Sequence, residues 1–133
     1  MRLKHFTLQF GLPLFKALAD ESRLRILFLI WKQQQMCTSD LELILDFTQT
    51  KTNRHLTYLK NSGLITGKRT DQYIFFTINE EYADVLQQVL HYLEKDPQLL
   101  ADRETFRILF SNRELALNKI GQNYYTGNPT SEK

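Results

Sequence analysis

Cysteine is almost absent from this sequence: of 133 residues, only Cys37 carries a thiol. No disulfide can close within the chain, and nothing argues for an oxidising compartment, so a reducing cytoplasm is the expected location. Glycine and proline are few, at five and three, and 42% hydrophobic with 24% charged residues suits one domain with a modest core. No stretch approaches the roughly 18 apolar residues of a membrane span. The opening "MRLKHFTLQF" has neither an uninterrupted apolar run nor a small-residue cleavage site, so the chain is expected to be neither exported nor membrane-spanning. A Gly-rich phosphate loop and a catalytic His or Cys signature are also missing, and no enzyme activity is expected.

The most informative absence is local. From Phe47 to Thr70 there is no aspartate or glutamate, whereas Lys51, Arg54, Lys60, Lys68 and Arg69 all fall inside that stretch. The net charge of +2 is too small to indicate a polyanion binder by itself, so the distribution carries the information.

Apolar spacing and punctuation divide the chain into elements. Phe6, Phe10, Leu14 and Leu18 predict a first helix that Gly11 and Pro13 should bend or interrupt. Asp20 can cap a second, whose Leu24, Ile26, Leu27, Leu29 and Ile30 form a wide apolar stripe. "SDLE", Ser39 to Glu42, reads as a capping box for a short third helix with Leu41, Ile44 and Leu45 inward. Thr48 is the expected N-cap of a fourth helix closed at Ser62-Gly63. Thr52, Leu56 and Leu59 should face the core from it, and Thr50, Lys51, Arg54, Thr57 and Tyr58 should point away. His55 borders the apolar side and reads as a packing residue rather than a nucleic-acid contact.

"LITGKRTDQYIFFTI" predicts a hairpin with a charged tip at 68–72. Asn79 should cap a fifth helix carrying Val85, Leu86, Val89, Leu90 and Leu93, and Asp96-Pro97 should open a long final helix running through Leu117 and Ile120. The expected core includes Leu24, Leu27, Ile30, Leu41, Leu45, Leu56, Leu59 and Ile74. The expected organisation is one domain over residues 1–122 with a flexible tail at 123–133, where Gly, Pro and small polar residues gather. The fold class is mainly α with a small β hairpin, a helix-turn-helix followed by a wing.

"LFKALADESRLRILFLI" followed by "DLELILDFTQTKTNRHLTYLKNSGLITGKRTDQYIFFTI" resembles the ArsR/SmtB family of bacterial winged-helix repressors over roughly residues 12–81. The resemblance implies that the fourth helix enters the DNA major groove and that the wing touches the flanking backbone. On side-chain chemistry, Gln49 and Asn53 suit adenine, Arg54 suits guanine and Thr50 suits a base or a phosphate. Thr48 stands at the helix start, while Lys51, Tyr58, Lys60, Lys68 and Arg69 are expected on phosphates, where charge gives affinity without sequence information.

The family's dimer implies an inverted-repeat operator, and its interface maps to Phe6, Phe10, Leu14, Leu86, Val89, Leu90 and Leu93. Metal sensing does not carry over. Where one family site has two cysteines separated by one residue, this chain has Cys37 and Ser39, and where the other has an Asp and a His two apart, Asp84 is followed by Leu86. His91 and Glu94 are one helical turn apart, which is too few ligands for a site. No metal or cofactor is therefore expected, and the effector is unassigned. The competing reading is that a polar, basic helix face is ordinary solvated surface, on a winged helix used for protein contacts.

Overall fold

The computed structural model describes residues 6–120, so the tail expected at 123–133 lies outside the described residues. Element order is α1 (Leu8–Leu18), α2 (Glu21–Gln33), β1 (Met36–Cys37), α3 (Thr38–Leu45), α4 (Gln49–Asn61), β2 (Ile65–Thr70), β3 (Tyr73–Ile78), α5 (Glu80–Tyr92) and α6 (Pro97–Ser111), then a 3-10 turn at Ala116–Asn118. The strands make an antiparallel sheet in the order β1-β3-β2. This is a winged helix-turn-helix, with α3 and α4 as the paired helices and β2–β3 as the wing.

The fold is organised around α2. Its N-cap Asp20 accepts a hydrogen bond from the Arg23 amide at 3.0 Å, and five consecutive residues, Ile26 to Ile30, have no solvent exposure. An amphipathic helix buries one stripe, so five in a row require neighbours on every side. α1, α4, α6, β1 and β3 supply them.

Several local expectations are corrected. α1 runs unbroken through Gly11 and Pro13. Pro13 removes one amide bond, yet Leu14 and Ala17 just beyond it are fully buried, and that packing holds the helix together. Gly11 serves the Phe6 ring, because a Cβ at this position would stand 2.5 Å from Phe6 Cε1. The Ser39 capping box does not form. Cys37 pairs with Phe75 across β1 and β3 and occupies the N-cap position with no side-chain cap, so α3 begins at Thr38. β1 itself was not expected, since a two-residue strand leaves no periodicity to read.

The hairpin is also longer than its sequence signal. Thr70 pairs with Tyr73, which leaves a two-residue connection with Asp71 at φ 57°, and Lys68 and Arg69 lie within β2 rather than at the tip. Ile74, expected in the core, is exposed, while Phe75 and Phe76 are the buried members of β3. Leu24 is only partly buried. The last helix stops at Ser111, and Leu117 and Ile120 reach the core from the 3-10 turn and the residues after it.

The expected interface residues divide between two environments. Leu14, Leu86 and Leu90 are buried by their own chain, at 0%, 1% and 0% exposure. They cannot contribute to an exposed apolar patch. Phe10 stacks on Tyr82 at 4.1 Å between ring centroids, and the Tyr82 hydroxyl donates to the Phe10 carbonyl, which fixes α1 against α5. Val89 and Leu93 are half-buried, as are Phe6 and Phe10.

Buried polar side chains tie the C-terminal elements to the core. Asp102 on α6 receives two parallel bonds from Arg25 on α2, both at 2.9 Å, and a third from the Gln98 side chain at 3.0 Å. Asp40, in the first turn of α3, accepts from the amides of Ala116 and Leu117 at 2.6 and 3.0 Å. Burial nonetheless leaves its carboxyl with a raised pKa, because two amide bonds only partly offset lost hydration.

Two predictions follow from this packing. Asp102→Ala leaves the Arg25 guanidinium unpaired at a site where its side chain is only 16% exposed. It should destabilise the fold by about 3 kcal/mol in a urea melt, and a loss below about 1 kcal/mol would mean that water replaces the carboxylate. The Cys37 thiol is pushed up to about 11, first by burial and then by the neighbouring Asp40 charge. A thiol-specific disulfide reagent at neutral pH should react slowly with native protein and at once in denaturant, and equal rates would contradict the buried placement.

Candidate nucleic-acid interface

The α4 helix is closed at both ends by its own sequence. The Thr48 hydroxyl accepts from the Lys51 amide at 3.1 Å, and the Thr52 hydroxyl donates to the Thr48 carbonyl at 2.9 Å. Asp46, left-handed at φ 58°, turns the chain from α3 into α4, and Gly63 at φ 85° ends it. At that angle a side chain would be strained, which is why glycine follows the helix.

At roughly 100° per residue, α4 divides into three sectors. Thr52, His55, Leu56 and Leu59 are buried. Gln49, Thr50, Asn53, Arg54, Thr57, Lys60 and Asn61 are all exposed and share a continuous arc. Lys51 and Tyr58 stand on one shoulder between the two, and each is held by a neighbour. The Lys51 ammonium lies 4.1 Å from the Phe47 ring centroid, and the Arg23 guanidinium lies 4.0 Å from that of Tyr58. His55 is a packing residue, as its position implied. Burial lowers its pKa, with nearby Asp20 opposing the shift and Arg54, Arg23 and Lys51 adding to it.

Lys68 and Arg69 are both exposed on β2. Lys68 pairs with Phe75 and Arg69 with Ile74. Adjacent strand residues point to opposite faces, so the two cations project from opposite sides of the wing. The expected helix and wing residues are thus all on the surface, with Lys51 and Tyr58 less free than the others. Sequence reasoning missed Arg23, which lies on a different helix and reaches Tyr58 only through the fold.

Among the described residues, no three His, Cys, Asp or Glu side chains converge to hold a metal ion. Glu94 is engaged by His91 at 3.0 Å and by the Lys32 ammonium. Among the same residues, no helix is long and apolar enough to cross a membrane.

Comparison with known proteins adds an independent line. The family described as "Bacterial regulatory protein, arsR family" matches residues 20–66. An arsenic resistance transcriptional regulator of Pseudomonas putida is 33% identical over 89 residues, covering 66% of this chain and 77% of that protein. The arsenical resistance operon repressor of Escherichia coli is 38% identical over 74 residues, covering 54% of this chain and 63% of that repressor.

Among solved structures, HlyU of Vibrio cholerae superposes with a TM-score of 0.59 at 26% identity, over 70% of this chain and 97% of that one. A homodimeric winged helix-turn-helix DNA-binding domain from Mycobacterium bovis gives 0.57 at 27% identity, over 65% and 82%. The matched segment contains α2, α3 and α4, the helices that frame the exposed basic arc. Relatives that share this segment and fold are transcriptional regulators, and the chain belongs to the ArsR family of DNA-binding, winged helix-turn-helix transcriptional regulators.

Proposed function

We propose that the chain is a cytoplasmic repressor that binds an inverted-repeat DNA operator as a homodimer. The observation that carries the sequence-specific part is the carboxylate-free exposed arc of α4, continued by two cations on β2. A carboxylate there would sit against phosphate and repel it. On this reading Gln49, Asn53 and Arg54 read base edges, Thr50 serves a base or a phosphate, and Lys60, Lys68 and Arg69 neutralise phosphates. The exposed first turn of α4, at Gln49 and Thr50, adds the positive end of the helix dipole. Lys51 and Tyr58 belong at the edge of the contact, since both already have partners.

Two-fold assembly is supported by apolar surface that the chain does not cover itself. Leu8, Leu12 and Phe15 are 79%, 48% and 54% exposed and form one stripe on α1. On α5, Val85 and Val89 are half-buried and Tyr92 is exposed at the same helical spacing. These residues, with the half-buried Phe6, Phe10, Val89 and Leu93, are better candidates for the subunit contact than Leu14, Leu86 and Leu90. Release from DNA is assigned to an effector other than a metal, because Cys37 has only the Ser39 hydroxyl beside it, at 3.5 Å, and Leu86 stands where a second ligand would be needed.

Binding selection from random DNA should return a symmetric site. On it, Arg54→Ala should weaken binding by about 1–3 kcal/mol and relax preference at one base pair. Lys68→Ala should weaken all sequences alike and lower the salt slope by about 1. Small, equal effects from the two changes would remove α4 as the reading element. For assembly, Leu12→Glu together with Phe15→Glu should give a folded monomer by sedimentation that has lost operator affinity, whereas Leu86→Glu should unfold the chain. A double variant that stays dimeric would move the interface elsewhere.

A further inference from the structure

Arg23 is used more heavily than any other cation near the candidate interface, and its partners belong to three helices. It is the third residue of α2, and its side chain turns back onto the end of α1. There Nε donates to the Ala17 carbonyl at 2.9 Å and Nη2 to the Lys16 carbonyl at 3.0 Å. These carbonyls belong to the last turn of a helix and have lost their partners in the next turn, so the guanidinium acts as the C-cap of α1. Asp20, the N-cap of α2, stands 3.8 Å from Nη1. The edges of the guanidinium are thereby committed to α1 and α2. One flat face remains, and it lies over the Tyr58 ring of α4.

We propose that Arg23 is a positioning residue for DNA binding: it fixes Tyr58 at the shoulder of the recognition helix and ties that side chain to the end of α1. The proposal rests on the DNA-binding reading above. Its physical content is a rigid plane used on both edge and face. A guanidinium that donates in its plane and stacks through its face holds an aromatic ring in one orientation, and lysine, a point charge on a flexible stem, cannot do both.

Tyr58 is 39% exposed, so the ring has room to swing if nothing restrains it. Its expected phosphate contact then depends on Arg23 even though Arg23, at 13% side-chain exposure, offers little surface of its own. α1 also carries the exposed Leu8, Leu12 and Phe15 stripe. The same guanidinium therefore joins the helix assigned to subunit contact to the helix assigned to DNA.

A double-mutant cycle on operator affinity, using full-length protein, tests this assignment. Arg23→Gln should lower affinity about three- to tenfold, while sedimentation still shows the wild-type assembly and urea melts confirm a folded chain. Arg23→Lys should recover only part of the loss, although it restores the charge. Tyr58→Phe should leave the Arg23→Gln effect in place, because the ring is retained. In a Tyr58→Ala background, Arg23→Gln should cost little more, since its target is gone.

Full additivity of Arg23→Gln and Tyr58→Ala would overturn the assignment, as would complete rescue by Arg23→Lys, which would make Arg23 a plain phosphate contact. If Arg23→Gln does not fold, the lysine variant alone and combined with Tyr58→Ala closes the same cycle. Weak, equal responses to Arg54→Ala and Lys68→Ala would mark a failure of the DNA reading. Normal responses there with an additive cycle would mark a failure of this inference alone.

Discussion

Burial of Ile26 to Ile30 on every side of α2 is the constraint on which the rest of the structure depends. A helix that exposes nothing in its centre needs a shell, and the shell is the remainder of the domain: α1, α4, α6 and two of the three strands. Five large apolar side chains removed from water contribute on the order of 1.5–3 kcal/mol each. Because α4 packs on this same helix through Thr52, His55, Leu56 and Leu59, the orientation of its exposed arc is inherited from the core. No loop has to hold it.

Polar ties add direction to packing that hydrophobic contact alone would leave loose. Arg25 with Asp102, Asp40 with the amides of Ala116 and Leu117, and Arg23 with the end of α1 each join segments that burial only brings near one another. Breaking one is costly because the surviving partner is left dehydrated and unpaired. The three ties lie on different sides of α2 or α3, so α1, α6 and the segment after α6 are each fixed in register. Asp40 shows the balance at its tightest: even with two amide donors, burial keeps its carboxyl shifted toward the protonated form.

The electrostatic arrangement is one of exclusion more than accumulation. With a net charge of only +2, the chain cannot attract polyanions from every side. Keeping carboxylates out of residues 47–70 leaves one surface where a few cations act without compensation. The fold sharpens this by turning Lys68 and Arg69 to opposite faces of the wing and by holding Lys51 and Tyr58 against Phe47 and Arg23. What remains freely exposed on α4 is amide, hydroxyl and guanidinium chemistry, the kind that discriminates base edges. Membership of the ArsR family agrees with that surface.

Where the controlling physics is local, the sequence by itself determined the outcome. Thr48 and Gly63 bounded α4 because a cap hydroxyl and a left-handed glycine act within one turn, and Asp20, Asn79 and Asp96 opened their helices for the same reason. The exposed reading arc followed from spacing, and the absence of acid along it from inspection. Tertiary structure decided what depends on distant partners. It placed Cys37 in a two-residue strand, which started α3 at Thr38 and cancelled the Ser39 cap. It carried α1 through Pro13 because Leu14 and Ala17 were buried beyond it. It turned Ile74 outward and Phe75 inward, a choice that strand pairing makes and alternation alone does not. It also brought Arg23 to Tyr58, 35 positions along the chain, because only packing of α1, α2 and α4 around a common core can make a guanidinium meet all three.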